Sequence, residues 1–487
     1  MARAFLDDDV LLGGSTARAL YHDVASGEPI VDFHSHLDAA DLADDRAFTT
    51  LTELWLDDDH YKWRAMRAAG VPEHLVSGPA DPWDRFAAWA ATVPRLVRTP
   101  LHVWTHLELR RVFGIDLVLG PGSAREIWEE ATRQLPAWTA RRLVAHFGAE
   151  VVATTDDPAD DLDGHLRIAD EAGRLPPGAA HAPPAVVPTF RPDGAHRLAG
   201  DPDGWNAWAD RLGDGHGIRV VDLASLTAAL EAAHHRFAAA GCRASDHGLV
   251  HLPDVERAPA AADAAVRGLR QGVAADPTGR HALALEVVDL SARLAAASGT
   301  VLQLHLGAVR DASPRLAALR GADAGGDLMG DAPQVAGLAR FLGRLEADGE
   351  LPRCVVFNLN PADDAAFCAL AGSFAGDGVQ GLVRWGPPWW FNDHESGLRR
   401  HLDVISHVGN LAGFVGMCTD ARSLLSMTRH ELFRRVLCDV VGRDVDEGRI
   451  PDDRRACAEL VQAVCGGNAR AHFGFGATGR ASGQSGP

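Results

Sequence analysis

Eight short apolar segments recur along the chain, and each is closed by polar residues or glycine. Alanine- and leucine-rich stretches with helical spacing separate most of these segments. Short apolar runs are typical of buried parallel strands, and eight strands alternating with helices indicate a (β/α)8 barrel. The predicted strands are residues 29–34, 150–155, 184–190, 242–246, 300–306, 353–359, 382–386 and 412–418. We therefore predict an α/β fold built as a TIM-type barrel.

The interval between the first two predicted strands is too long for a single connection. It contains several helical patterns rich in Trp and Arg, which predicts an all-helical insertion after strand 1. The predicted division is an N-terminal segment with the first strand (1–39), the insertion (40–147), the remainder of the barrel (148–473) and a tail (474–487). The tail is rich in Gly, Ser and Ala without periodicity, so we expect it to be disordered.

Charge and cysteine content exclude several classes of protein. The formal net charge of -19 disfavours nucleic acid and anionic membrane surfaces as partners, because a negative field repels phosphate. The seven cysteines form no C-x-x-C pair, which is typical of reduced thiols, and no apolar run approaches the ~20 residues that span a bilayer. These features predict a cytoplasmic protein with a small-molecule substrate, and they leave a homo-oligomer open.

Lysine is almost absent. Lys62 is the only lysine, and the remaining basic residues are arginines. A carbamylated lysine that bridges two metal ions, or a lysine that forms a Schiff base, would therefore have to be Lys62, which lies at a predicted helix start.

Two histidines follow the first predicted strand. His34 and His36 are spaced i, i+2, so in an extended chain their side chains point to the same side. The last predicted strand leads to Asp420, whose carboxylate is a hard oxygen ligand. We therefore predict one divalent metal ion on His34, His36 and Asp420. Zinc is expected, and manganese and iron are also compatible with two nitrogens and one oxygen.

Polar residues just beyond the strand ends of such a barrel share one rim, where barrel enzymes place their chemistry. In chain order the candidates are Asp156, Asp157, Arg191, Asp193, Asp246, His247, His305, Arg310, Asn358, Asn360, Trp389, Trp390, Asp420 and Arg422.

Ordinary structural roles compete with function at several of these positions. Asp156, Asp157 and Asn360 suit turns or helix caps, Trp389 and Trp390 suit packing walls, and His247 and His305 suit satisfied barrel histidines. Arg191 and Arg422 differ, because an unpaired guanidinium is costly to bury at the mouth of a barrel. Each of these arginines is expected to meet a carboxylate of the protein or of the substrate.

A set of motifs along nearly the whole chain resembles the uronate isomerase (glucuronate isomerase) family of the amidohydrolase superfamily. The motifs include His34-Ser-His36, Leu54-Trp-Leu-Asp-Asp-Asp-His-Tyr-Lys-Trp-Arg64, Phe190-Arg-Pro-Asp193, Gln303-Leu-His-Leu-Gly307, Trp389-Trp-Phe-Asn-Asp393, Thr419-Asp-Ala-Arg422 and Thr428-Arg-His-Glu431. Two loops depart from the family pattern. They are Asp311-Ala-Ser-Pro314 and Gly386-Pro-Pro388, and the first of them puts fine substrate contacts in doubt.

The resemblance implies a barrel with one divalent ion that interconverts D-glucuronate with D-fructuronate and D-galacturonate with D-tagaturonate. It implies His34, His36 and Asp420 at the metal. The implied catalytic residues are Asp420, Tyr61, His60 and Arg422. The implied substrate-binding residues are Arg191, Arg422, His60, Tyr61, His305, Arg310, Trp389, Trp390 and Arg429.

Aldose–ketose isomerisation moves a proton between C2 and C1 through an enediolate, so it needs a base and a group that stabilises the oxyanion. Asp420 is the predicted proton shuttle, Tyr61 or Arg422 the oxyanion partner, and Arg191 the first choice for the sugar carboxylate. A hydride shift remains open at this stage. Two other classes also remain open: a mononuclear metal-dependent hydrolase of an acidic substrate, and a non-catalytic binding protein for sugar acids.

Overall fold

The computed structural model describes residues 4–174, 183–376 and 378–476. The strands assigned within these residues are β1 (Ile30–Asp32), β2 (Ala149–Ala153), β3 (Ala185–Val187), β4 (Ala244–Leu249), β5 (Val301–Leu306), β6 (Ala308–Val309), β7 (Leu328–Met329), β8 (Arg353–Asn358) and β9 (Val383–Trp385).

Seven of these strands lie side by side and run parallel. β1, β2 and β3 form one parallel sheet, and β4, β5, β8 and β9 form another. Phe190 joins the two sheets, because its backbone makes parallel bridges to Asp156 and to Ser245. β6 and β7 form a separate antiparallel pair. The carboxyl ends of the parallel strands consequently face one side of the molecule.

The prediction of an eighth strand at residues 412–418 is wrong. The chain makes a short 3-10 turn at Leu411–Gly413 and then runs on to Asp420 without a ladder to another described strand. Gly416 has a φ of 87°, a left-handed conformation that interrupts an extended strand. The segment still lies beside β1, since the amide of Asp420 donates to the carbonyl of His34 at 3.0 Å.

The fourth strand is displaced along the sequence from its predicted position. β4 begins at Ala244 and extends to Leu249, so Asp246 and His247 lie within the strand, whereas the prediction placed them at its end and just beyond it. Both side chains are fully buried. Their polar partners, described below, offset the cost of removing the two side chains from water. A search for apolar residues misses such a strand segment, because its buried side chains are polar.

Helices fill the intervals between strands and cover the sheet. The helices before β2 are α1 (Ser15–Asp23), α2 (Ala39–Ala43), α3 (Leu51–Trp55), α4 (His60–Ala68), α5 (Glu73–Val76), α6 (Pro82–Thr92), α7 (Pro100–Phe113), α8 (Ala124–Gln134) and α9 (Ala140–His146). Those between β2 and β5 are α10 (Asp163–Arg174), α11 (Gly194–Arg197), α12 (Pro202–Asp214), α13 (Leu223–Ala239), α14 (Pro259–Arg270) and α15 (Pro277–Ser298). The remainder are α16 (Pro314–Arg320), α17 (Val335–Ala347), α18 (Asp364–Ser373), α19 (Glu395–Val408), α20 (Thr428–Asp446), α21 (Arg454–Gln462) and α22 (Asn468–Phe473).

The interval between β1 and β2 is helical, and its helices α2 to α9 have a core of their own. Trp55, Phe86 and Trp89 are fully buried in this cluster, which also takes in Leu425 from the C-terminal part of the chain. The domain boundaries drawn from the sequence stay a prediction.

The structure bears on few of the remaining sequence predictions. Within the predicted tail, Phe475 is buried and stacks on Phe473, while residues 477–487 lie outside the described residues. All seven cysteines are free and buried. Among the described helices, none is both long and apolar enough to cross a bilayer.

Candidate metal and active site

The carboxyl ends of the parallel strands open into a cavity of about 1080 Å³. Its wall combines apolar surface with side chains of both charges. The lining residues that matter below are His36, His60, Arg191, Asp193, His196, His281, Arg310, Asp323, Trp390, Asp420 and Arg422. The cavity therefore offers cationic groups to an anionic ligand in a chain whose net charge is negative.

His34, His36 and Asp420 converge at the inner end of this cavity. The Nε2 atoms of both histidines lie 3.1 Å from the Oδ1 atom of Asp420. Donor atoms held about 2.1 Å from one cation at angles of 90–109° lie roughly 3.0–3.4 Å apart. Both nitrogen–oxygen separations thus suit a shared divalent cation, and all three ligand atoms lie within 4.8 Å of one another. The second oxygen of Asp420, Oδ2, is buried without a hydrogen-bond partner among the described residues.

The backbone around Asp420 is fixed by β1. Asp32, at the end of that strand, accepts hydrogen bonds from the amide of Thr419 at 2.7 Å and from its hydroxyl at 2.6 Å. Asp420 itself has a φ of 46°, in the left-handed region that non-glycine residues seldom occupy. Although burial opposes ionisation, hydrogen bonds from His34 and His36 hold the pKa of Asp420 well below its usual range.

Arg191 meets two carboxylates of the protein. Its Nε donates to Asp193 Oδ2 at 3.0 Å, and its Nη1 lies 3.0 Å from Asp246 Oδ2. Gly248 makes room for the guanidinium, since a Cβ at that position would lie 2.3 Å from Arg191 Nη2. Arg191 nevertheless lines the cavity, so a ligand can reach it while it stays paired.

His305 lies next to His34, and both side chains are buried. Its Nδ1 is 2.7 Å from Asp246 Oδ1, its ring lies 4.4 Å from the His34 ring, and Phe357 stacks on it at 4.0 Å. Burial lowers the pKa of His305 more than the Asp246 carboxylate raises it. The ring is therefore neutral near pH 7, and its Nε2 has no partner among the residues described.

The first turn of α4 places His60 against the cavity and Tyr61 next to it, behind the cavity wall. Asp59 caps this helix by accepting from the amides of Tyr61 and Lys62, both at 3.0 Å. The Lys62 ammonium lies 2.6 Å from Asp59 Oδ2 and 4.0 Å from Glu108 on α7. This buried ion cluster, made by the only lysine of the chain, anchors the helix end that carries the two predicted catalytic residues.

Tyr61 and Arg429 pack together behind the cavity wall. The guanidinium of Arg429 lies 5.0 Å from the Tyr61 ring centroid and 4.1 Å from that of Trp104, and it donates to the carbonyl of Thr419 at 2.9 Å. Burial raises the pKa of Tyr61 well above its ordinary value, so the phenol keeps its proton. Its hydroxyl is buried with no hydrogen-bond partner in the described part of the chain, which leaves it available as a donor.

Arg422 and Arg310 share one carboxylate. Asp323 accepts from Arg422 Nη2 at 3.0 Å and from Arg310 Nη1 at 3.3 Å, and Arg310 also lies 2.9 Å from Asp327. The Arg310 guanidinium packs over the Trp390 ring at 4.3 Å. Although burial opposes ionisation, the two arginines lower the pKa of Asp323 to about 2.

The structure therefore brings most of the predicted site residues to one region. His36, His60, Arg191, Arg310, Trp390, Asp420 and Arg422 line the cavity, whereas Tyr61, His305, Trp389 and Arg429 support its wall. Trp389 is 4% exposed and packs against the His305 ring at 4.9 Å, as a packing wall would. The roles assigned to these residues stay predictions.

Sequence reasoning missed Asp323, and it included Asp246 among the rim candidates without identifying its partner. Asp246 was noticed only as a residue near a strand end, although its pairing with Arg191 follows the argument that a buried guanidinium needs a carboxylate. Asp323 gave no signal, because it lies in a loop of Ala, Gly and Asp with no periodicity. Its contact with Arg422 spans 99 residues of sequence.

Comparison with known proteins points to one family. Residues 2–473 match the family described as glucuronate isomerase. The uronate isomerase of Solibacter usitatus is 42% identical over 475 residues, covering 97% of this chain and 99% of the relative. The uronate isomerase of Opitutus terrae is 40% identical over 471 residues, covering 97% and 98%.

Two solved structures are similar over almost their full length. The crystal structure of uronate isomerase from Thermotoga maritima has a TM-score of 0.88 and 33% identity, covering 97% of this chain and 100% of that one. The glucuronate isomerase structure from Caulobacter crescentus has a TM-score of 0.87 at 24% identity, covering 98% of each chain, and this similarity supports the fold alone.

Proposed function

The chain belongs to the uronate isomerase family, and from that premise we propose that it interconverts D-glucuronate with D-fructuronate and D-galacturonate with D-tagaturonate by metal-assisted proton transfer. It is an enzyme, an aldose–ketose isomerase of hexuronates. The observation that carries the proposed chemistry is the Asp420 carboxylate. One of its oxygens faces two imidazoles at 3.1 Å, and the other is buried without a partner among the described residues.

We propose that the parallel strands close into a (β/α)8-type barrel. Support comes from the seven parallel strands that lie side by side and from the segment leading to Asp420, which takes the place of an eighth strand beside β1. Active sites of such barrels lie at the carboxyl ends of the strands, where this cavity lies.

We propose that His34, His36 and Asp420 hold one divalent ion. Zinc fits this donor set, and manganese or iron would also fit. When bound, the ion supplies Lewis-acid chemistry, which polarises substrate oxygens and orients the open-chain sugar.

The proton transfer is assigned to Asp420. The carboxylate is ionised, so it can take the proton from C2 of the aldose and return it to C1, and the hydrogen bonds that lower its pKa also reduce its strength as a base. Tyr61 retains its proton and can donate a hydrogen bond to an oxygen on which negative charge develops. His60, whose ring lies 4.7 Å from that of Tyr61, lines the cavity next to it.

The anionic end of the substrate is assigned to the arginines of the cavity. Arg422, Arg310 and Arg191 are charged, and each is already paired with a protein carboxylate. The sugar carboxylate therefore competes with Asp323 for Arg422 and Arg310, or it binds Arg191 beside Asp193. Trp390, packed under Arg310, supplies an apolar wall for the carbon chain.

An isomerisation assay tests the function. Metal-loaded protein is mixed with glucuronate or galacturonate, and NMR follows the appearance of the ketose signals. We expect both aldoses to be converted to an equilibrium mixture with their ketoses. A protein that binds the metal but converts neither uronate would contradict the proposal, and release of a hydrolysis product from an acidic ester or amide would support a hydrolase instead.

A further inference from the structure

A second set of two histidines and one aspartate lies on the other side of Arg191. Asp193 Oδ1 is 3.3 Å from Nε2 of His196 and 3.2 Å from Nδ1 of His247. The three ligand atoms lie within 4.8 Å of one another, and all three side chains are at least nine-tenths buried. None of the three belongs to the set His34, His36 and Asp420.

The two oxygens of the Asp193 carboxylate have different partners. Oδ2 accepts from Arg191 Nε at 3.0 Å and from the amide of Gly248 at 2.9 Å. Among the described residues, Oδ1 contacts the two imidazoles. The protein thus fixes the carboxylate through one oxygen and presents the other to two nitrogen donors.

The arrangement matches the first site in donor type and in dimensions. At His34, His36 and Asp420 one carboxylate oxygen lies 3.1 Å from two imidazole nitrogens, and here the distances are 3.2 and 3.3 Å. Both sets fall in the range of roughly 3.0–3.4 Å expected for atoms that share one cation. A third group that could hold a cation, His34, Asp246 and His305, shares His34 with the first site, and its Asp246–His305 contact is shorter, at 2.7 Å.

A cation can reach this set, and the histidines can bind it. Asp193 and His196 line the 1080 Å³ cavity, whereas His247 is fully buried. Without a cation, Nδ1 of His247 donates to the Asp193 carboxylate, and Nε2 has no partner among the described residues. A cation that binds Nδ1 displaces this proton, because only a deprotonated imidazole nitrogen is a ligand.

We propose that Asp193, His196 and His247 form a second site for a divalent cation of the zinc class, separate from the site at His34, His36 and Asp420. The guanidinium of Arg191 shares the Asp193 carboxylate and repels a cation there, so the second site binds more weakly than the first. The cation would clamp the carboxylate that orients Arg191, which couples the second site to the wall of the cavity.

Metal stoichiometry tests the proposal directly. Protein stripped with a chelator is titrated with Zn²⁺ by calorimetry, and bound zinc is counted by elemental analysis after desalting from excess metal. The wild-type chain is expected to bind two ions in two steps. His196→Ala and His36→Ala are each expected to bind one ion, and only His36→Ala is expected to lose isomerase activity completely.

A matched control removes an imidazole from the same cavity but not from the cluster. His281 lines the cavity, is exposed and lies outside all three metal-compatible groups, so His281→Ala is expected to retain both ions. A wild-type stoichiometry of one, or an equal loss in His196→Ala and His281→Ala, would overturn the second site.

Anomalous scattering at the zinc edge gives an answer that does not depend on the folding of a variant. Crystals of the wild-type protein grown with excess zinc should show one peak between His34, His36 and Asp420 and another between Asp193, His196 and His247. A peak at the first position alone, at full occupancy, would reject the proposal while leaving the isomerase assignment intact.

Discussion

Asp323 places its Oδ2 atom 3.0 Å from Nη2 of Arg422, so an arginine assigned to the substrate anion already holds a carboxylate of the protein. The same carboxylate contacts Arg310, and both arginines line the cavity. Asp323 thus occupies the position of an anion between two guanidinium groups. A uronate that uses these arginines must displace it or share them with it.

Arg422→Met removes one charged hydrogen-bond donor from the cavity. A charge-assisted hydrogen bond contributes about 1.5–3 kcal/mol, so kcat/KM for glucuronate should fall roughly 10- to 100-fold. Steady-state kinetics measures the change, with Arg211→Met, which lies in the same cavity wall, as the control. Asp323→Asn should lower KM, because it removes the competing charge. A higher KM in that variant would indicate that Asp323 orients Arg422 instead.

Removal of the metal should abolish isomerisation. Two imidazoles and a carboxylate at 3.1 Å separations favour a bound cation, and the enediolate needs charge stabilisation. Protein treated with a chelator should lose activity and regain it on addition of Zn²⁺, Mn²⁺ or Fe²⁺, as measured by ketose formation. Full activity in protein shown by elemental analysis to be free of metal would refute this role.

Proton transfer through Asp420 should exchange hydrogen with the solvent. In deuterated water the ketose is expected to carry deuterium at C1, and NMR would detect it. Partial exchange is consistent with a shielded base that returns the same proton. Complete retention of a C2 label at every temperature and pH would favour a hydride shift. Asp420→Asn should stay inactive at high metal concentration, whereas rescue by metal would restrict Asp420 to metal binding.

Asp156 should make the folded state less stable as the pH rises. Burial raises its pKa to about 7, although hydrogen bonds from Thr154 and Thr189 oppose the shift. The folded chain therefore binds this proton more tightly than the unfolded chain, and stability is lost between about pH 4 and pH 7. Asp156→Asn should be more stable than the wild type by about 1.5 kcal/mol at pH 5 and by about 4 kcal/mol at pH 8. Urea unfolding at the two pH values measures this, and a pH-independent difference would contradict it.

Lys62 should be essential for the stability of the helical insertion. Lys62→Met leaves Asp59 and Glu108 buried without their cation, which should cost about 3–5 kcal/mol. Because Asp59 caps the turn that carries His60 and Tyr61, kcat should fall as well. Lys62→Met combined with Glu108→Gln should recover part of the stability, since one buried charge is removed. An unfolding midpoint unchanged from the wild type would show that the cluster contributes nothing.

Local patterns predicted the parts of the fold that depend on neighbouring residues. Seven of the eight predicted strands were found, because a buried strand is a short apolar run wherever it lies. The prediction of a strand at 412–418 was wrong, because Gly416 adopts a left-handed conformation and the Thr419 amide donates its hydrogen bond to the Asp32 side chain. Apolarity alone does not report either feature.

The sequence by itself determined that His34 and His36 point to the same side, because the i, i+2 relation is a property of the extended backbone. It also determined that a carboxylate must meet Arg191, since a buried guanidinium is not stable alone. Only the tertiary structure decided which carboxylates do so. Asp246 reaches Arg191 across neighbouring strands, and Asp323 reaches Arg422 from a loop 99 residues away. Such pairings depend on distances in space, which spacing along the chain does not encode.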